Sequence, residues 1–263
     1  MTDAESVFDD LKAEGDDVDR LIAELPAGSW STPTPAPGWT IAHQIAHLAW
    51  TDDKSLLAIT DAEGFAADLA EAAARIATFV DDGAAEGASQ PPAELLARWR
   101  DGRAAVLGAL RAVPPKSRIP WYGPPMSAAS MATARLMETW AHGLDVAGAL
   151  GVKREPVARL RHIARLAART RDFSYVVRGE TPPTEEFRVE LTGPDGDLWV
   201  FGPEDAAQRV TGPAVDLCLL AAQRVHRSDT ALVAEGPDAD HWLDIAQMFA
   251  GPPGDGRAPG GPA

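Results

Sequence analysis

Residues 37–48 read Pro37-Gly38-Trp39-Thr40-Ile41-Ala42-His43-Gln44-Ile45-Ala46-His47-Leu48, and residues 138–146 read Glu138-Thr139-Trp140-Ala141-His142-Gly143-Leu144-Asp145-Val146. In the first stretch Thr40 suits a helix N-cap, and Ile41, Ile45, Leu48 and Leu56 follow on one side of a helix of about five turns. His43 and His47 are four residues apart, so both project from nearly the same face. In the second stretch Glu138, His142 and Asp145 fall at i, i+4 and i+7, with Arg135 one turn earlier. Glu138 and His142 sit among Leu136, Met137, Trp140, Leu144 and Val146, and His47 among Ile45, Leu48 and Trp50. Titratable groups in so apolar a setting need partners, and helices of a bundle can supply them to one another.

The first 180 residues read as helix almost throughout. Thr2-Asp3-Ala4-Glu5 has the pattern of a capping box, ahead of Val7, Leu11, Val18, Leu21, Ile22 and Leu25. Pro26 and Gly28 end that helix, and Pro33, Pro35, Pro37 and Gly38 make 30–38 a loop. A third helix is expected over 62–81. Pro91-Pro92 suits the first turn of a fourth, which carries Leu95, Leu96, Trp99, Val106, Leu107 and Leu110. Prolines 114, 115, 120, 124 and 125 surround Trp121-Tyr122 in a second long loop; the tryptophans 39, 50, 99, 121 and 140 read mostly as core, with the mouth of a pocket as the alternative for Trp121-Tyr122. Ser127 opens a fifth helix that reaches Leu150 and closes at Gly151, and 155–177 reads as a sixth.

The pattern changes after Gly179. Phe187–Thr192 alternates with period two, Gly193-Pro194-Asp195-Gly196-Asp197 supplies a turn, and Leu198–Phe201 answers as a second strand. A helix from Pro213 to His226, a short strand at 231–234 and a helix over 238–249 are expected next. The predicted architecture is therefore α+β. An N-terminal helical region spans 1–178, which the family resemblance described below makes an antiparallel four-helix bundle; a small C-terminal α/β domain spans 179–250 behind the Pro182-Pro183 linker, and 251–263 is a disordered Gly/Pro-rich tail.

Composition narrows the function classes. The chain has 263 residues with 24 Lys+Arg against 39 Asp+Glu, a net charge of −15, which argues against a nucleic-acid or anionic-membrane binder. No stretch suits a membrane span, and the acidic N-terminus is unlike a signal peptide, so a cytoplasmic protein is expected. The single cysteine, Cys218, lies among Leu217, Leu219 and Leu220 and reads as core; it precludes a disulfide framework or a Cys-based zinc finger. No Gly-rich phosphate loop, nucleophile elbow or dinucleotide fingerprint is present.

Imidazole nitrogens and a carboxylate oxygen suit Zn2+, Ni2+ or Fe2+, and three protein ligands leave a coordination position for water or substrate. Spacing alone leaves a second reading open, in which Glu138 and His142 form a helix-surface pair or cap a neighbouring helix. At these residues the sequence resembles the DinB-like metalloproteins, in particular the branch of mycothiol-dependent maleylpyruvate isomerase and its actinobacterial relatives. The stretch 37–48 is similar to that family's opening Pro-x-Trp-Thr motif with its downstream His-Leu, and 138–146 to its Glu-x-x-x-His-x-x-Asp motif. The resemblance implies a DinB-like four-helix bundle holding one divalent metal, with a small C-terminal domain behind it. It covers nearly the whole chain apart from the tail.

Carried over position by position, the resemblance makes His47, Glu138 and His142 the metal ligands. Asp145 matches a usually acidic position, and either orients His142 or caps a neighbouring helix. His43 departs from the pattern, where Asp is common; a fourth ligand, a base beside the ligands and a surface residue are its alternatives. Arg224 is the nearest match to an active-site arginine of the isomerase branch, although Gln223-Arg224 replaces the usual Gly-Arg and a surface arginine is the favoured alternative. The implied activity is thiol-dependent, mycothiol-type isomerisation or S-transfer on a small anionic substrate by a monomer or homodimer. A metal-dependent hydrolase or lyase, and a metal- or ligand-binding protein without turnover, are the alternatives. Residues 153–171 hold seven basic residues against Glu155, a local charge of +6, with Arg161, Arg165 and Arg169 four apart. That stripe is either a solvated face paired with acidic helices or a docking surface for an anion.

Overall fold

The computed structural model describes residues 3–254 and 256–261. The chain forms two compact units that part between Lys153 and Arg154. The first holds α1 (Asp3–Ile22), α2 (Ile41–Thr60), α3 (Ala62–Ala74), α4 (Phe79–Ala88), α5 (Pro92–Ala112) and α6 (Ala128–Ala149). Helices α1, α2, α5 and α6 make the expected four-helix bundle, with α1 packed on α6 and α2 on both α5 and α6. Val18, Ile22, Ile41, Ile45, Leu48, Leu95, Trp99 and Val146 fill its core. Burying each such side chain contributes roughly 1.5–3 kcal/mol, which is what holds α2 and α6 side by side.

The helix starts follow local chemistry. At α6 the Ser127 hydroxyl accepts from the Ser130 N–H at 3.2 Å, and α5 opens on a proline, whose missing N–H costs nothing in a first turn. Thr2 of the N-terminal capping pattern lies outside the described residues. The single helix expected over 62–81 is two helices, α3 and α4, because the chain turns at residues 75–78. There Thr78 and Arg75 both bond Asp82, and Arg75 also bonds Glu71. Gly83 and Gly87 then let α4 approach α2 closely: a Cβ at Gly83 would come within 2.7 Å of the Trp50 ring, and one at Gly87 within 2.8 Å of the Ala46 Cβ.

The second unit holds α7 (Leu160–Arg169), α8 (Arg171–Val176), β1 (Phe187–Thr192), β2 (Leu198–Phe201), β3 (Gln208–Pro213), α9 (Ala214–Ala221), β4 (Val233–Glu235) and α10 (Pro237–Ile245). Thus α7 and α8, placed with the bundle by the sequence reading, belong with the sheet unit. The reason is packing: Leu160, Ile163, Ala164 and Ala167 of α7 are buried, and α7 lies against α9 and β2. The sheet order is β2-β1-β3-β4, with β1 antiparallel to β2 and parallel to β3, and β4 antiparallel to β3. The hairpin is in the expected place, with Leu191 opposite Trp199. Strand β3 has no alternating pattern and was not expected; it exists because β1 and β4 bond it from both sides. Helix α9 stops before His226 in a Schellman turn, with Gln223 at φ 56° and the Arg224 N–H donating to the Leu219 carbonyl. Residues 250–254 carry no helix or strand but are not loose: the Gln247 amide donates to the Phe249, Gly251 and Pro252 carbonyls.

Candidate metal centre

Helix α2 presents His47, and α6 presents Glu138 and His142 one turn apart. His47 Nε2 lies 3.4 Å and His142 Nε2 3.2 Å from the same oxygen, Glu138 Oε2. These separations are long for charge-assisted hydrogen bonds, which run about 2.7–2.9 Å. They match the roughly 3.4 Å between neighbouring ligands on a tetrahedral Zn2+ with bonds of about 2.0–2.1 Å. Among the described residues this is the only group of three or more His, Cys, Asp or Glu able to hold an ion, with donor atoms within 4.8 Å of one another. The residues therefore fit a divalent metal. Their side chains are 9%, 23% and 12% exposed for His47, Glu138 and His142, so the group is not sealed from solvent. Burial pushes the Glu138 carboxyl up, but the two imidazoles beside it outweigh burial and hold it well below the usual carboxylate range.

A second layer, largely absent from the sequence reading, surrounds the three. Gln44 is fully buried, and its Oε1 meets His142 Nδ1 at 2.5 Å. Its amide NH2 donates to Thr34 Oγ1 at 2.9 Å, and that hydroxyl donates to the Trp39 carbonyl at 2.9 Å. The sequence carries a signal for Gln44, a neutral polar residue on the core side of α2. The Trp39 ring lies over His142 (centroids 5.8 Å, stacked) and His47 (5.4 Å), and its Nε1 donates to Asp81 of α4 at 3.1 Å. Beside His47 stand Trp50 at 6.1 Å between centroids and, 5.0 Å beyond it, Phe79. The Lys54 ammonium lies 5.4 Å from both of these rings and pairs with Asp68, to which the Tyr122 hydroxyl also donates.

The other expected site residues fare differently. His43 is not in the group of three; its Nδ1 lies 2.8 Å from Thr40 Oγ1 and accepts from the Thr40 N–H at 3.4 Å, closing the start of α2. Asp145 is buried at 2% on α6, while the Nδ1 of His142 is held by Gln44. Arg135 joins Asp52 in a buried ion pair. Arg224 belongs to the second unit, where Nη1 donates to the Ala222 carbonyl at 2.7 Å. Arg161, Arg165 and Arg169 lie on the exposed side of α7.

Residues 11–147, just over half the chain, match the family model described as the mycothiol maleylpyruvate isomerase N-terminal domain. Residues 183–235 match a model described as wyosine base formation. Two uncharacterized proteins of Mycobacterium tuberculosis, from strains CDC 1551 / Oshkosh and H37Rv, are each 59% identical over 257 residues, covering 98% of this chain and 100% of theirs. Among solved structures, the crystal structure of the mycothiol-dependent maleylpyruvate isomerase matches with a TM-score of 0.62 at 18% identity, over 90% of this chain and 96% of that one. A histidine-to-alanine mutant of that enzyme matches with 0.61 at 17% identity. At such identities the structures establish a shared fold rather than a shared reaction. The two sequence motifs, the bundle that brings them together and the family match agree: this chain belongs to the mycothiol maleylpyruvate isomerase N-terminal domain family, within the DinB-like bundle proteins.

Proposed function

We propose that this chain is a divalent-metal-dependent enzyme in which His47, Glu138 and His142 hold the ion, with Zn2+ the first choice and Ni2+ or Fe2+ compatible with the same donors. We propose further that it uses a thiol of the mycothiol type to isomerise, or transfer sulfur to, a small anionic substrate. One observation carries the reading: three convergent donors on incompletely buried side chains, with no fourth His, Cys, Asp or Glu joining them among the described residues. Structural zinc sites close on four protein ligands, whereas catalytic sites keep a position for water or substrate. The family's name supports the thiol.

A bound divalent cation would supply the positive charge that lets a thiol lose its proton at neutral pH. The protein's own groups do the rest. Glu138 stays ionised and neutralises part of that charge. The Trp39 ring shields the two imidazoles, and Trp50 and Phe79 form an apolar wall beside His47. In this proposal His43 serves the helix start. Asp145 supports α6, and Arg224 meets the substrate's negative charge; these two assignments rest on the family resemblance, and kinetics of Asp145→Asn and Arg224→Ala test them.

The decisive experiment is elemental analysis of untagged protein, wild type against His142→Ala, followed by thermal shift and turnover with mycothiol. About one metal per chain in the wild type, a loss in the variant and a thiol-dependent response are expected. Equal metal content in both would overturn the site, and metal binding without any thiol effect would overturn the proposed reaction.

A further inference from the structure

We propose that Thr34 and Gln44 are positioning residues that fix the proton of His142 on Nδ1, and so keep its Nε2 lone pair turned towards Glu138. Hydrogen-bond direction runs one way along these residues. The Trp39 carbonyl can only accept, so at 2.9 Å the single hydroxyl proton of Thr34 goes to it. The Thr34 oxygen is then an acceptor towards Gln44, and the Gln44 group facing it at 2.9 Å must be the NH2. That leaves the amide oxygen facing His142 Nδ1 at 2.5 Å, a contact that requires a proton on the ring nitrogen. With that proton on Nδ1 of the neutral ring, Nε2 carries the lone pair, 3.2 Å from Glu138 Oε2.

The reverse polarity breaks the relay at its start. Flipping the amide would leave Thr34 Oγ1 and the Trp39 oxygen facing each other without a proton between them, and its one gain would be an Nε2–H of His142 donating to Glu138, a proton that a bound cation would have to displace. Solvent does not compete for the amide, because Gln44 is wholly enclosed, and an unsatisfied buried polar group costs about 1–3 kcal/mol. His47 forms the contrast: its Nδ1 is buried with no hydrogen-bond partner among the described residues, so no such chain of described groups sets its proton. The relay is also local to one loop. Thr34 and Trp39 lie on the turn whose strand-like bridge pairs Pro33 with Thr40, and the same Trp39 lays its ring over both imidazoles. Residues of this kind, which orient a ligand through its second ring nitrogen, are worth about 10–100-fold in metal affinity.

The geometry stands without a metal; only the affinity consequence rests on the metal-enzyme reading. The test is therefore made first on metal-free, 15N-histidine-labelled protein at about pH 8, above the usual imidazole range. NMR is expected to show wild-type His142 as the Nδ1–H tautomer, with that preference lost in Thr34→Val and Gln44→Leu and kept in Thr34→Ser. Chelator competition with Zn2+ is then expected to show affinity lowered about 10–100-fold in the first two variants and restored in Thr34→Ser. An Nε2–H tautomer in the wild type, which needs no variant to be read, overturns the proposal. So does a tautomer unchanged by both disruptive substitutions. The expected tautomers together with no Zn2+ uptake would leave the relay standing and sink the metal reading instead.

Discussion

Arg135 on α6 and Asp52 on α2, 83 residues apart in the chain, meet in the bundle interior with Arg135 Nε 3.0 Å from Asp52 Oδ1. The same guanidinium donates to the Leu48 carbonyl at 3.3 Å. Both side chains are almost completely buried, at 3% and 7% exposed. Burial raises the Asp52 carboxyl above its ordinary value while Arg135 pulls it down. The pair sits three residues before Glu138 and five after His47, so it fixes how α2 and α6 slide against each other.

Removing one partner leaves an uncompensated buried charge. Arg135→Met should cost about 3–5 kcal/mol in denaturant unfolding. Replacing both residues, as Arg135→Met with Asp52→Leu, should recover most of that stability because an apolar pair fills the same space. Metal affinity should stay reduced in the double variant, since nothing polar then sets the register. Full recovery of affinity would show that the core alone sets it.

Acid should loosen the α1–α5 contact first. Arg100 holds both oxygens of Asp19, and Arg103 bridges Asp16 and Asp19. The Arg100 hydrogen bond leads the causes that lower Asp19 despite partial burial. At Asp16 burial pushes the carboxyl up, but Lys12 and Arg103 together pull it below 3.8. These depressed values stabilise the fold above 3.8, and the benefit is lost as pH falls through the folded-state values. Asp19→Asn should be less stable at neutral pH and show a shallower acid limb in thermal unfolding followed over pH. A parallel acid limb would refute the assignment.

The chain has only two tyrosines, Tyr122 and Tyr175. Burial, then the hydrogen bond to Asp68, pushes the Tyr122 phenol far up; burial, then the charge of Asp238, brings Tyr175 to about 12. Absorbance near 295 nm should therefore show almost no tyrosinate while the native fold persists at about pH 10, where free tyrosine is half ionised. The stability these groups confer is intact below 10 and declines as pH rises towards the folded-state values, so alkaline unfolding and tyrosinate absorbance should appear together.

Cys218 is fully buried in α9, and burial alone pushes its thiol well above the ordinary range. Iodoacetamide at neutral pH should leave the native protein unmodified by mass spectrometry and label it once in denaturant. Rapid native labelling would contradict the core placement.

The stretches 37–48 and 138–146 determined by themselves that two amphipathic helices would carry His47, Glu138 and His142, because helix caps and the 3.6-residue repeat are local properties of the chain. The β1–β2 hairpin was legible for the same reason: its alternation and its Gly-Pro-Asp-Gly turn lie within 15 residues. Local pattern did not reveal β3, which exists through ladders to β1 and β4, nor the packing of α7 with the sheet rather than the bundle. It also could not distinguish the roles of His43 and Gln44, neighbours on one helix. Only the fold turned His43 back to its own helix start and placed Gln44 against His142, 98 residues away, where a buried amide must find a partner. The three candidate donors were legible in the sequence, and the hydrogen bonds around them were decided by tertiary packing, since their direction depends on groups that meet only after the chain has closed on itself.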